Sequence, residues 1–347
     1  MTGKMKALVK EIPGPGLSIR HVPIPDPGPC DVLVKVSAAA ICGTDLHIYN
    51  WDKWAASRIK PPVIIGHEMS GHIVKVGSAV TAWHEGDYIS AECHKICGQC
   101  FQCRTGQGHV CRDYSILGVD FDGCFAGYVR IPQASLWKNE PHLPPEVACL
   151  QDPVGNAVLA VTSVDVMGKA VLITGCGPIG LFAVGVSKAM GASEVIAVDI
   201  NDFRLDLALK MGAGAIINPL KQNLVEDVLL VTREEGVDAL VEMSGAEQCL
   251  VDGLKVIKNG GQAALLGIPE DRICLDLANE VIFKGINLFG ITGRKIFSTW
   301  YQTSALLNSS LDITPVITHK MELEQFQEAF KTVQSGRCGK IILYPSS

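Results

Sequence analysis

Up to about residue 150, short runs rich in β-branched residues alternate with glycine and proline breaks: DVLVKVSAA, HIVKVGSAV, GDYIS and GYVRIP. That spacing predicts an antiparallel, barrel-like domain. HVPIPDPGPCD (21–31), proline-rich and set between two strand-like runs, predicts a connecting loop. After about residue 155 the rhythm changes. AVLIT (170–174), a glycine turn, a helix to Met190, VIAVD (195–199) and a helix through Met211 follow one another, then AIIN (215–218), VDALVEMS (237–244) and QAALLGIP (262–269). Strands alternating with helices predict an α/β Rossmann domain with a doubly wound parallel sheet. The chain closes with a helix near 298–308, an amphipathic helix near 323–335 and the strand KIILY. Periodicity does not assign this tail to either domain.

A length of 347 residues suits two domains, and 48% hydrophobic with 19% charged residues describes a globular protein. The net charge of −6 gives no basic footprint for nucleic acid. MTGKMKALVK lacks the apolar run of a secretory signal, so the expected location is the cytoplasm. Residues 170–187 are uncharged, but Gly175, Gly177, Pro178 and Gly180 interrupt them, which predicts strand, turn and helix rather than a membrane span. In a reducing compartment the 13 cysteines divide by spacing: clusters suggest metal, isolated ones packing. Cys149, Cys176, Cys249, Cys274 and Cys338 are isolated and are expected to be small buried hydrophobes.

GCGPIG (175–180) fits G-x-G-x-x-G, follows a strand, opens a helix and precedes Asp199 at the end of the next strand. Gly175 makes the turn, Gly177 admits the pyrophosphate and Gly180 lets helix pack on strand, while the helix N-terminus offers free N–H groups. Asp199 would accept from the adenosine ribose hydroxyls and repel a 2′-phosphate, favouring NAD, although Arg204 nearby is able to pair with a phosphate.

Cys97, Cys100, Cys103 and Cys111 are spaced x2, x2, x7. Four thiolates in one turn-rich loop predict a closed structural zinc site. An iron–sulfur cluster is the rival, but the bacterial cluster run ends x3 and then proline, which this one does not. Cys93, four residues upstream, is a substitute ligand by position.

Cys42, His67 and Glu68 complete the chemistry: three legitimate zinc ligands leave a fourth position open, the arrangement of a catalytic zinc. Zinc and NAD together point to hydride removal from an alcohol. Thr44 and His47, three apart, share a helical face and form a candidate proton relay. Asp152 in QDPVGNAV either serves the metal site or caps a helix before Pro153. His94 either contacts substrate or is a loop residue. Asp45 reads as a turn residue.

These residues resemble the zinc-dependent medium-chain dehydrogenases nearly end to end. ICGTDLHIYNWDKW (41–54), the four-cysteine lobe, DPVGNAV (152–158), EMSGA (242–246), LLGIP (265–269) and VIFKGINLFGITGRKIFSTWY (281–301) are similar to the threonine-oxidising members of that family. The resemblance implies a GroES-like β-barrel-type catalytic domain (1–152, with a structural zinc lobe at about 93–111), a Rossmann NAD-binding domain (153–299) and a tail (300–347) returning to the catalytic domain. It implies two zinc ions per subunit, the catalytic one at Cys42, His67 and Glu68. Asp152 would then handle protons, Thr44 and His47 relay them, and His94 bear on substrate choice. Cofactor contacts would fall on Ile179, Asp199, Arg204, Leu266, Gly267, Ile268, Ile291 and Thr292. The implied enzyme is a homotetramer that oxidises L-threonine with NAD to 2-amino-3-oxobutanoate, which decarboxylates to aminoacetone or passes to a CoA ligase. The rivals are a polyol or 2,3-butanediol dehydrogenase on the same scaffold and a catalytically silent NAD- and zinc-binding protein.

Overall fold

The computed structural model describes residues 3–345. The chain forms two compact units: one takes the chain up to Asp152 and again from Ile317, the other is Pro153–Val316.

In the first unit β1 (Lys4–Lys10) pairs antiparallel with β2 (Ser18–Pro23). β3 (Asp31–Ala40) leads into helices α1 (Gly43–Asn50) and α2 (Lys53–Arg58). There follow β4 (Val63–Ile64), β5 (Glu68–Val76), β6 (Tyr88–Ala91) and β7 (His94–Lys95). The cysteine lobe contains the short helix α3 (Phe101–Arg104), and β8 (Ser115–Ile116) returns to pair with β7. β9 (Tyr128–Pro132), β10 (Leu136–Lys138) and α4 (Pro145–Ala148) complete this stretch. β3 is the centre of the larger sheet, flanked by β5 and β9. The smaller sheet meets it through the segment before β9: the Leu8 N–H donates to the Phe125 carbonyl at 2.8 Å, and Ala7 bridges Ala126. Leu8, Val34, Ile48, Met69, Ile73 and Phe125 fill the space between, each fully or almost fully buried. Alternation along these strands gives that inward apolar face.

Helix α5 (Gln151–Thr162) precedes β11 (Ala170–Thr174), α6 (Pro178–Ala189), β12 (Glu194–Val198) and α7 (Asp202–Lys210). β13 (Ala215–Ile217), α8 (Leu224–Val231), β14 (Val237–Glu242), α9 (Glu247–Val256), β15 (Ile257–Leu265) and β16 (Asn287–Gly290) continue the alternation. The six strands lie in the order β13-β12-β11-β14-β15-β16, all parallel. Strand order reverses between β11 and β14, so a crevice opens at their carboxyl ends, beside Thr174 and Glu242. The near-continuous burial of AVLIT and EVIAV follows from helices covering both faces.

Helix α10 (Ser298–Leu307) belongs to this second unit, so the return to the first begins at Ile317 rather than at residue 300. The cause is packing: a side chain at Gly155 would meet Arg294 and Thr303, and one at Gly185 would meet Leu311. The returning chain forms β17 (Ile317–Glu322), α11 (Phe326–Gln334) and β18 (Lys340–Tyr344). β18 adds to β3 with Ile342 opposite Ala40, and Tyr49 of α1 stacks on Phe330 of α11 at 4.6 Å. Among the described residues no helix is long and apolar enough to cross a membrane. Of the isolated cysteines, Cys149, Cys176 and Cys338 are buried, but Cys249 is half-buried and Cys274 exposed. Cys274 sits in the irregular connection between β15 and β16, its N–H donating to Glu247 of α9 at 3.0 Å.

Candidate metal and dinucleotide sites

Cys42 terminates the buried run of β3 and is the N-cap of α1, with extended backbone angles. Its N–H donates to Asp45 Oδ2 at 2.9 Å, closing a capping box. Asp45 is therefore not a turn residue. The helix starts at Gly43, so Asp45 occupies its first turn, fully buried beneath Cys42. Thr44 Oγ1 stands 3.8 Å from Cys42 Sγ. His47 is largely exposed, its Nδ1 paired with Asp52, the residue that caps α2. Thr44 and His47 share α1, but no direct hydrogen bond joins them.

Glu68 opens β5, and His67 immediately precedes it. Gly66 before them has φ +92°, and a Cβ there would stand 2.3 Å from the Phe125 ring. A Cβ at Gly118 or Gly123 would stand 2.3 Å or 2.2 Å from the Gly66 carbonyl oxygen, so this corner admits only glycine. Strand register then gathers the set: Glu68 lies opposite Ala40, and Ile342 of β18 lies opposite Ala40 on the other side. Donor atoms of Cys42, His67 and Glu68 all lie within 4.8 Å of one another. Lys340 Nζ contacts Glu68 at 2.6 Å and 2.5 Å and the Ile41 carbonyl at 3.1 Å.

The electrostatics favour a further cation. Burial pushes the Glu68 carboxyl up, Lys340 and His67 oppose that, and Asp152 adds to it, so Asp152 belongs to this neighbourhood. Burial pulls the His67 imidazole down, but the negative groups Cys42, Asp45 and Glu68 outweigh it and raise it to about 10. His67 Nδ1 and Asp45 Oδ1 are 3.9 Å apart, both buried without a hydrogen bond. Sulfur, imidazole and carboxylate donors converging among unsatisfied buried atoms fit a zinc ion, with Asp45 behind the histidine and Lys340 behind the glutamate.

In the lobe, Cys100 Sγ is 3.5 Å from Cys103 and 3.8 Å from Cys111. Cys97 is 4.0 Å from Cys103 and 3.5 Å from Cys111. Four sulfurs around one zinc at about 2.3 Å are separated by about 3.8 Å, so the cage fits a single ion. Backbone N–H groups of Cys97, Cys100 and Asp113 point at these sulfurs. Backbone hydrogen bonds draw the Cys100 thiol down to about 6, toward the thiolate a metal requires. Cys93 is not part of this cage; it groups with Glu92 and His94.

In the second unit Gly175 has φ +86°, and Gly180 lies so close to it that a Cβ would stand 1.8 Å from the Gly175 carbonyl. Gly177, the N-cap of α6, has nothing within 4 Å of its missing side chain. That opening at a helix N-terminus fits a pyrophosphate. Ile179 lies in the first turn of α6, half-buried. Asp199 accepts from the N–H groups of Cys176 at 2.7 Å and Asn201 at 2.8 Å. Arg204 Nη1 is 3.9 Å from Asp199 Oδ2. Glu242, which belongs to no binding motif, organises the opposite wall. It accepts from the Ser244 N–H at 2.7 Å, the Gly245 N–H at 2.9 Å and the Ser244 hydroxyl, while its carbonyl takes the N–H groups of Leu266 and Gly267. A side chain at Gly267 would strike Gly245 and Glu242. Ile268 and Thr292 are exposed and Ile291 half-buried. A cavity of about 420 Å³ lies between Ser244–Glu247 and Ile268–Ile273.

Family comparison agrees with both halves. Residues 28–143 match the alcohol dehydrogenase GroES-like domain, and residues 178–309 match the zinc-binding dehydrogenase domain. The chain is 51% identical to an L-threonine 3-dehydrogenase of Bacillus licheniformis, covering 99% of this chain and 100% of that one. An L-threonine 3-dehydrogenase of Pyrococcus horikoshii is 46% identical over 99% of both. A zinc-binding dehydrogenase of Sinorhizobium meliloti, solved with NADP, superposes with TM-score 0.91 at 29% identity, covering 99% of this chain and 100% of that one.

Proposed function

Because the chain belongs to the L-threonine 3-dehydrogenase family of zinc-binding dehydrogenases, we propose that it oxidises the β-hydroxyl of L-threonine to give 2-amino-3-oxobutanoate. The observation that carries this reading is the convergence of Cys42, His67 and Glu68 on one point, with buried polar atoms left unsatisfied around it. When bound, zinc supplies Lewis-acid polarisation of the substrate hydroxyl and NAD accepts the hydride. Cys42, His67 and Glu68 would hold the metal, with Asp45 behind His67 and Lys340 behind Glu68 fixing the orientation of those two ligands. The hydroxyl of Thr44 both accepts and donates, so it takes the substrate proton and passes it on through solvent to the exposed imidazole of His47. Asp152, close enough to raise the Glu68 carboxyl, would help handle the released proton.

Gly175, Gly177 and Gly180 admit the pyrophosphate of NAD. Asp199 takes the adenosine ribose hydroxyls with Arg204 beside it. Ile179, Leu266, Gly267, Ile268, Ile291 and Thr292 complete the cofactor contacts. Cys97, Cys100, Cys103 and Cys111 hold the structural zinc.

The same reading has a cytoplasmic homotetramer whose product loses carbon dioxide or passes to a CoA ligase, and the family resemblance supports it. Purified zinc-loaded protein with NAD tests the assignment. Reduced nicotinamide is expected to form fastest with L-threonine. Faster turnover of sorbitol or 2,3-butanediol would reject the substrate, and no turnover of any of the three would favour the silent protein.

A further inference from the structure

We propose that a cavity over the smaller sheet of the first unit binds a free apolar amino acid, its carboxylate on Lys60 and its ammonium group on Asp122. In KMKALVK the side chains alternate between the two faces of β1. Leu8 enters the core between the sheets, so Met5, Ala7 and Val9 face the opposite way. Register continues that apolar surface on both neighbours: Met5 lies opposite Val22 of β2, and Val9 opposite Ile64 of β4. With Ala126 and Tyr128 these residues form a small apolar cluster of their own, on which a cavity of about 540 Å³ rests. That volume falls within the range of about 300–1,000 Å³ of small-molecule sites. Four charged side chains also line it, Lys60, Asp120, Asp122 and Arg130, and their pairing decides what it takes.

Two of the four are already paired. Arg58 takes Asp120 in bidentate fashion at 2.9 Å and 2.7 Å, and Arg130 Nε lies 3.6 Å from Asp31 Oδ2. Asp122 is held but not neutralised. Its Oδ1 accepts from the Ile64 N–H at 3.0 Å, and the Gly123 N–H that follows donates to the Ile64 carbonyl at 2.7 Å. Gly123, where a side chain would strike Gly66, has no room to shift, so the carboxylate is fixed to β4 with Oδ2 open. Lys60 is exposed and has no hydrogen bond or ion pair among the described residues. Its neighbour is Asp120, two residues before Asp122: burial raises the Asp120 carboxyl, and Arg58, the Ile116 N–H and Lys60 together bring it down. One cation and one carboxylate oxygen therefore stand uncommitted beside an apolar floor. An anion with a hydrocarbon chain would satisfy Lys60 but lay that chain against Asp122, and an amine would do the reverse, each desolvating a charge without a partner. A dipolar ion with an apolar side chain serves both through charge-assisted hydrogen bonds and covers Met5, Val9 and Val22.

Calorimetric titration of the purified protein tests this with three probes of one skeleton: L-leucine, 4-methylpentanoate, which lacks the ammonium group, and 3-methylbutylamine, which lacks the carboxylate. L-leucine is expected to bind at least about tenfold more tightly than either, the effect of one charge-assisted hydrogen bond. Lys60→Met keeps the apolar stem, and Asp122→Asn keeps the acceptor for the Ile64 N–H, so both should melt as the wild type does. Lys60→Met should then bind L-leucine no better than the amine, and Asp122→Asn no better than the acid. Equal affinity of the wild type for the three probes, or L-leucine binding untouched by both substitutions, would overturn the proposal, as would no binding at all. A fall in the mass of the assembly on Pro23→Glu at the rim, read by light scattering, would give the cavity to a second copy of the chain and overturn it too.

Discussion

Lys340 Nζ lies 2.5 Å from Glu68 Oε2, and the two residues, 272 positions apart in sequence, are almost completely buried. Burial works against both charges: it raises the Glu68 carboxyl although Lys340 opposes the shift, whereas Lys340 is held above its usual value despite desolvation, chiefly by Glu68. Removing one partner leaves an uncompensated buried charge. Lys340→Met should therefore cost about 3–5 kcal/mol in metal-free protein, read from chemical denaturation. Lys340→Arg should retain most of the stability. A loss below about 1 kcal/mol, the range of exposed pairs, would mean the pair is solvated.

The cysteine cage predicts a different failure. Cys100→Ser opens a closed tetrahedron whose metal binding is itself folding free energy, so the variant should lose several kcal/mol. Chelator should lower the melting temperature of the wild type and have little further effect on the variant. A wild-type-like melting curve for Cys100→Ser would show that the lobe holds together without its ion.

Gly177 and Gly180 separate ligand binding from packing. A methyl group at Gly180 would stand 1.8 Å from the Gly175 carbonyl, whereas one at Gly177 meets nothing within 4 Å. Gly180→Ala should lose about 1–3 kcal/mol of stability and NAD affinity together. Gly177→Ala should keep its melting temperature and still bind NAD more weakly. Tight NAD binding by Gly177→Ala, measured by titration, would remove the pyrophosphate from this opening.

Glu146 of α4 pairs with Lys320 of β17, joining the first part of the chain to its returning segment. Burial raises the Glu146 carboxyl, but Lys320 and backbone contacts outweigh it, and the net shift is downward. A depressed folded value stabilises the fold above the unfolded value of about 4.3, and the gain fades as the pH falls through the folded value. Glu146→Gln should cost no more than about 1 kcal/mol at neutral pH. Denaturation curves of variant and wild type should converge in acid. A constant gap across the whole pH range would point to lost packing instead.

What the chain revealed in advance was local. AVLIT followed by GCGPIG (170–180), and the cysteine spacing (97–111), each carry their signal within a single short segment. Cys42, His67 and Glu68 were legible by ligand type, but their meeting depends on register between β3 and β5. Lys340 was not legible, because its role exists only once β18 adds to β3. Asp45 looked like turn chemistry since it follows a glycine and a threonine; the start of α1 at Gly43 turns the same residue into a buried cap. Glu242 ends a hydrophobic strand and gives no sign, from sequence, of the turn it organises. The periodicity of α10 predicted a helix but not the unit against which it packs.

Metal content measured alongside turnover in Cys42→Ser reaches the central claim most directly. The wild type should hold two zinc ions per chain and reduce NAD with L-threonine. The variant should hold one, bind NAD as before and form no reduced cofactor. A Cys42→Ser protein that keeps both ions and still turns over, or a wild type fully active with a single ion, would contradict the account.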